Sequence, residues 1–171
     1  LYTAPDVEQT KVVNHLTGDE MNESRNVLVE SARIARGEIA DIAKLTSDDM
    51  DALLFPGGFG AALTLCDFAL KGADCHIHRE VIRIIQEMQA VQKPLGFICI
   101  APALFARAVK NANMTAKITI GNDQATADQI EKLGSQHEIC SVDDCIVDEE
   151  NKIVSTPAYM LAGNISEAAS G

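Results

Sequence analysis

The chain has 171 residues, 47% of them hydrophobic, and a formal net charge of −11. That is enough apolar material for one domain with a real core, and too much for a disordered chain. The acidic balance argues against nucleic acid and anionic membranes as partners, and no apolar run approaches the roughly 18–20 residues that span a bilayer. There is no basic segment followed by an apolar one, so no secretory signal is expected. The five cysteines, Cys66, Cys75, Cys99, Cys140 and Cys145, are odd in number and form no C-x-x-C pair. They read as reduced thiols of a cytoplasmic protein. The start at Leu1 and the stop at Gly171 read as cuts within a longer protein.

In chain order, Leu1 to Ala4 reads as a strand closed by Pro5. Residues 25–36 read as a helix, with Val27, Leu28, Ala32 and Ala35 at helical spacing, Asn22 or Ser24 as N-cap and Gly37 as C-cap. Ser47 to Met50 is a short acidic turn. Ala52-Leu53-Leu54-Phe55 is a continuous apolar run, as expected of a strand covered on both faces, and Pro56-Gly57-Gly58-Phe59-Gly60 ends it. Residues 76–91 give the clearest helix, with Val81, Ile84, Ile85, Met88 and Val91 on one face and Lys93-Pro94 beyond it. Leu95 to Ile98 is a strand, followed by a helix from about Ile100 to Val109. Lys117 to Ile120 is a strand stopped by Gly121, and 123–133 a helix capped by Gly134. Cys145–Val147 and Ile153–Ser155 form a β-hairpin around an acidic turn, and 164–169 restarts a helix. Strands separated by helices imply an α/β protein with a mostly parallel sheet, helices on both faces and a small hairpin near the C-terminus. With no linker or repeat, residues 1–171 read as a single domain.

The chemistry points to Cys99. An apolar strand runs into it and a helix starts directly after it, which places the thiol at the carboxyl end of a strand, where open parallel sheets bind ligands. On a tight strand-to-helix turn the side chain is exposed, the backbone takes a positive φ, and the helix N-terminus favours a thiolate. A plain cysteine ending a core strand fits the same local pattern. Gly57 and Gly58, at the end of another strand, let the backbone approach a ligand, and the Gly58 and Ile100 N–H groups together could form an oxyanion hole. An ordinary glycine turn is the alternative. Cys75-His76-Ile77-His78 flanks a helix start and has no second pair at zinc spacing, so no metal is expected. Asp143, Asp144, Asp148, Glu149 and Glu150 do not match a calcium loop and read as a solvated hairpin turn. With no G-x-G-x-x-G or P-loop, no cofactor is expected.

Several longer segments carry a resemblance: Asn14-His15-Leu16-Thr17-Gly18, Arg25-Asn26-Val27-Leu28, Pro56-Gly57-Gly58-Phe59-Gly60, Lys93-Pro94-Leu95-Gly96-Phe97, Cys99-Ile100-Ala101-Pro102-Ala103 and Thr156-Pro157-Ala158-Tyr159-Met160. In this order they resemble the class I glutamine amidotransferase-like, or ThiJ/PfpI, superfamily, and within it the ElbB-like group, described as glyoxalase-like. The resemblance implies a flavodoxin-like three-layer sandwich and a homodimer. It also implies a cofactor-independent enzyme that converts glyoxal or methylglyoxal, a small dicarbonyl substrate, to a 2-hydroxy acid through a hemithioacetal on Cys99. Gly57, His15 and Tyr159, all within these segments, are expected to support the site or line its pocket. His15 is the remaining candidate base, although a surface or helix-entry histidine fits the same position.

The sequence departs from the superfamily pattern in three places. Phe97 stands two before the cysteine where a small residue is usual. Ile100 follows it where many members have histidine, which weighs against amide or peptide hydrolysis. The segment that carries the family's glutamate partner is expected to precede Leu1. A non-enzymatic stress, redox or regulatory protein linked to isoprenoid biosynthesis is the competing reading, because an exposed low-pKa thiol also suits an oxidant sensor.

Overall fold

The computed structural model describes residues 1–112 and 114–170, which divide into two compact units, Leu1–Thr46 and Ser47–Gly171. The first unit holds β1 (Thr3–Ala4), β2 (Val12–Val13), β3 (Glu20–Met21), α1 (Val27–Ala35) and β4 (Ala40–Asp41). β1 pairs parallel with β4, and β2 with β3 as an antiparallel hairpin. α1 begins at Asn26, whose side chain accepts the Val29 N–H at 3.0 Å, rather than at Asn22 or Ser24. It ends as Arg36 turns left-handed at φ 56°, one residue before the expected Gly37.

The second unit runs β5 (Leu53–Phe55), α2 (Gly58–Gly60), α3 (Phe68–Lys71), α4 (Arg79–Ala90), β6 (Leu95–Ile98), α5 (Pro102–Val109), β7 (Lys117–Ile118), α6 (Gln124–Lys132), β8 (Gln136–His137), β9 (Ile146–Asp148), β10 (Ile153–Thr156) and α7 (Ile165–Ser170). Its main sheet has the order β5-β6-β10-β9. β5, β6 and β10 are mutually parallel, and β9 joins antiparallel as the other arm of the C-terminal hairpin. β7 and β8 form a separate parallel pair. This is the α/β, flavodoxin-like arrangement expected from the alternation of strands and helices.

The register aligns Phe55 with Phe97, and Ile98 with Thr156. One face of the sheet therefore carries a row of aromatic and aliphatic side chains. Phe55 stacks on Phe97 at 5.2 Å, Phe97 packs tilted against Phe105 of α5 at 5.4 Å, and Leu95 and Ile153 are buried beside them. α4 buries Val81, Ile84, Ile85 and Met88 of the face its periodicity marks out, but Val91, expected on that face, caps the helix end and is 50% exposed. Leu54 is 59% exposed, contrary to a strand covered on both faces. Its side chain leans over Gly96, where any Cβ would collide with it. The residues of the Cys75–His78 group take separate structural parts. Cys75 is buried, the His76 N–H donates to Asp67 Oδ1 at 2.6 Å, and His78 Nδ1 accepts the Glu80 N–H at the start of α4. Among the described residues, no helix is long and apolar enough to cross a membrane.

The acidic hairpin corrects the sequence reading at one position. Asp148 is not solvated but only 7% exposed. Its carboxylate accepts from the Lys117 N–H (2.9 Å), the Asn151 N–H (3.0 Å) and Asn151 Nδ2 (2.8 Å), tying β9 to the start of β7. Burial works to raise its pKa, but the hydrogen bonds from Asn151 and the backbone outweigh it and hold the carboxyl below its ordinary value. Asp148→Ala is therefore expected to cost about 1–3 kcal/mol at neutral pH, because buried donors lose their acceptor. The folded-state pKa is depressed, so this stability is present above the unfolded value of about 4 and is lost as the pH falls through the lower folded value. Urea titrations of both proteins at pH 7 and along an acid series check this. Equal stability at pH 7, or a gap that does not narrow in acid, would contradict it.

Candidate active site

The parallel strands β5, β6 and β10 end at one level, and the loops leaving them meet there. β6 stops at Ile98 and α5 begins at Pro102, with Cys99 between them at φ 62°. A non-glycine residue in the left-handed region is strained by its Cβ, and it persists only where surrounding structure holds it. Here the Cys99 N–H donates to the Thr156 carbonyl at the end of β10 (2.9 Å), and the Ala101 N–H turns back to the Ile98 carbonyl (3.1 Å). Pro102 opens α5, where a missing N–H costs nothing. Gly57 presses against the same turn from the end of β5. It has φ 81° and ψ −141°, and a Cβ there would strike the Ile98 carbonyl oxygen and lie 3.0 Å from Cys99 Cβ. The N–H groups of Gly58 and Ile100 have no acceptor among the described residues.

Cys99 is half-buried and opens on a cavity of about 830 Å³. Gly58, Ile100 and Tyr159 line it with Cys99, so the turn after β5, the turn after β6 and the turn after β10 all contribute. The Phe68–Gly72 segment forms another wall, and Ala125, Thr126 and Gln129 of α6 add to it. Gln129 Oε1 accepts the Ala73 N–H at 3.1 Å, linking α6 to that segment. Lys71 is ion-paired with Asp67 at 2.6 Å. The lining contains no carboxylate and no imidazole among the described residues.

No family model matches the chain. Two mammalian proteins are 44% identical to it over 167 residues, 92% of this chain: the rat ES1 protein homolog, mitochondrial, and the human glutamine amidotransferase-like class 1 domain-containing protein 3, mitochondrial. The chain spans 61% of the length of each. The crystal structure of an isoprenoid biosynthesis protein with an amidotransferase-like domain from Ehrlichia chaffeensis is similar at a TM-score of 0.89 and 33% identity, covering 99% of this chain and 77% of that one. The chain belongs to the class I glutamine amidotransferase-like family. Glyoxalase III from Candida albicans, at a TM-score of 0.55 and 14% identity, covers 84% of this chain and 64% of its own, and shares the fold.

Within this amidotransferase-like fold the residues singled out from sequence fall in different places. Cys99, Ile100, Gly58 and Tyr159 meet at the cavity, and Gly57 packs behind the turn that presents the thiol. Tyr159 is exposed in the turn Ala158–Met160 that follows β10. His15 belongs to the first unit and is exposed in the turn between β2 and β3. The walls contributed by Phe68–Gly72 and by α6 were not legible in sequence. Neither stretch has a motif, and only the order of strands and helices brings them beside Cys99. The other cysteines differ in kind. Cys66 and Cys75 are buried and interact with each other, a contact that with burial raises the Cys66 thiol. Burial likewise raises Cys140, whereas Cys145 is half-buried outside the cavity.

Proposed function

We propose that this protein is a cofactor-independent, glyoxalase-like enzyme in which Cys99 is the nucleophile. The observation that carries this reading is the left-handed Cys99 at the β6–α5 junction, facing a cavity with the free Gly58 and Ile100 N–H groups beside it. The Cys99 sulfur adds to the aldehyde carbon of glyoxal or methylglyoxal. A C–S bond forms, the carbonyl π pair moves to oxygen, and that oxygen, held by the two N–H groups, takes a proton to give a hemithioacetal. A base removes the hydrogen on this carbon, and a proton is returned to the neighbouring carbon. One carbon is oxidised and the next reduced, so no external oxidant or reductant is needed. The product is the thioester of a 2-hydroxy acid. Water then attacks the thioester carbonyl, the C–S bond breaks, and the thiolate is restored.

The base for the proton transfer comes from outside the cavity lining, which holds neither carboxylate nor imidazole among the described residues. That feature favours the second reading, a redox or regulatory protein linked to isoprenoid biosynthesis that uses the same thiol as a sensor. The proposed enzyme works in the cytoplasm as a homodimer, an assembly taken from the family resemblance.

The test is lactate formation from methylglyoxal without added thiol, metal or nucleotide. Catalytic production of lactate supports the enzyme. Absence of lactate, with ready peroxide oxidation of Cys99, supports the sensor.

A further inference from the structure

Resting on the reading of Cys99 as a nucleophile, we propose that its cavity also takes electrophiles with an apolar body of about six to ten carbon atoms, beyond the two- or three-carbon dicarbonyls of that reading. Glyoxal has four heavy atoms and displaces roughly 120 Å³, counting each as about one water. The cavity holds about 830 Å³. A two-carbon substrate would leave most of that space to water lying against Phe68, Ala69, Ile100 and Met160, and releasing such water is what drives apolar ligands to bind.

Three large apolar side chains that are unusually exposed converge on the same cavity: Phe59 at 78%, Leu70 at 65% and Tyr159 at 59%. Single exposed apolar residues are ordinary, but several around one concavity mark a ligand site. The polar side chains of the lining fit this ligand class. Gln129 keeps its NH₂ after its oxygen binds the Ala73 N–H, and Lys71 carries a positive charge partly balanced by Asp67, while the Thr126 hydroxyl bonds the Asp123 carboxylate. With donors and no carboxylate, the lining suits a neutral or anionic tail and disfavours a cationic one.

The full chain is treated with N-ethyl-, N-butyl-, N-hexyl- and N-octylmaleimide, and the rate at Cys99 is read by peptide mapping relative to Cys145. Each reaction joins sulfur to one alkene carbon and a proton to the other. Burial of the alkyl tail is expected to raise the Cys99/Cys145 ratio by up to about fourfold per methylene. Leu70→Asp and Phe59→Asp, both at exposed positions, are expected to flatten the series. The same ratio for the ethyl and octyl reagents, or no labelling of Cys99 by any of them, overturns the proposal. A graded series with no acid formed from any 2-oxoaldehyde rejects the glyoxalase reading alone. Lactate from methylglyoxal with a flat series rejects the apolar ligand alone.

Discussion

Replacing Gly57 with alanine is expected to lower the unfolding free energy by about 3–5 kcal/mol and to blunt the reactivity of Cys99. Two costs combine. The first is conformational: at φ 81° and ψ −141° an L side chain is strained whatever the space around it. The second is steric. The new methyl would meet the Ile98 carbonyl oxygen, Cys99 Cβ at 3.0 Å and the Ile100 nitrogen at 3.4 Å. These are parts of the strand end and the turn, not the far end of a flexible side chain. The contact can be relieved only by moving β5 away from β6, which are hydrogen-bonded neighbours, or by displacing the Cys99 turn. Urea denaturation gives the stability change, and the iodoacetamide rate at Cys99 reports on the turn. A loss below about 1 kcal/mol with unchanged alkylation would show that Gly57 does not hold the turn in place.

Cys99→Ala is expected to lower acid formation from methylglyoxal by at least about a thousandfold, since no other thiol lines the cavity among the described residues. Cys99→Gly removes the same sulfur but also removes the Cβ from a residue at φ 62°. It is therefore expected to be more stable than Cys99→Ala by about 1 kcal/mol. The pair separates chemistry from strain. Both variants lose activity, and only the glycine variant recovers the conformational cost that the native cysteine bears. Equal acid production by wild type and Cys99→Ala would reject the nucleophile. Equal stability of the two variants would show that the left-handed turn at residue 99 stores no strain.

The elements differed in how legible they were, for physical reasons. α4 was clear because Val81, Ile84, Ile85 and Met88 repeat the helical spacing over several turns, and each repeat reinforces the last. The strand–Cys99–helix junction was legible because its determinants lie within a few residues: the apolar Leu95–Ile98 run, the cysteine and Pro102. β2, β3, β4 and β8 were not, because two residues give no period to read, whereas β1 and β7, equally short, lie within the longer runs Leu1 to Ala4 and Lys117 to Ile120. The burial of Asp148 was hidden for another reason. Its partner N–H at Lys117 is distant in sequence, and nothing local separates it from the solvated acids around it.

The sequence by itself determined the α/β class, the position of Cys99 on a strained turn, and the use of Gly57 and Gly58 beside it. These follow from local sterics and from hydrophobic period, which act over short stretches of chain. Only the tertiary structure decided what surrounds the thiol. The parallel pairing of β5, β6 and β10 brings three strand ends to one level, and the placement of α3 and α6 builds the remaining walls. The resulting space is lined mostly by apolar side chains and, among the described residues, by no carboxylate or imidazole. Side chains far apart in sequence line it together because of strand order and helix packing, and neither is written in any single segment.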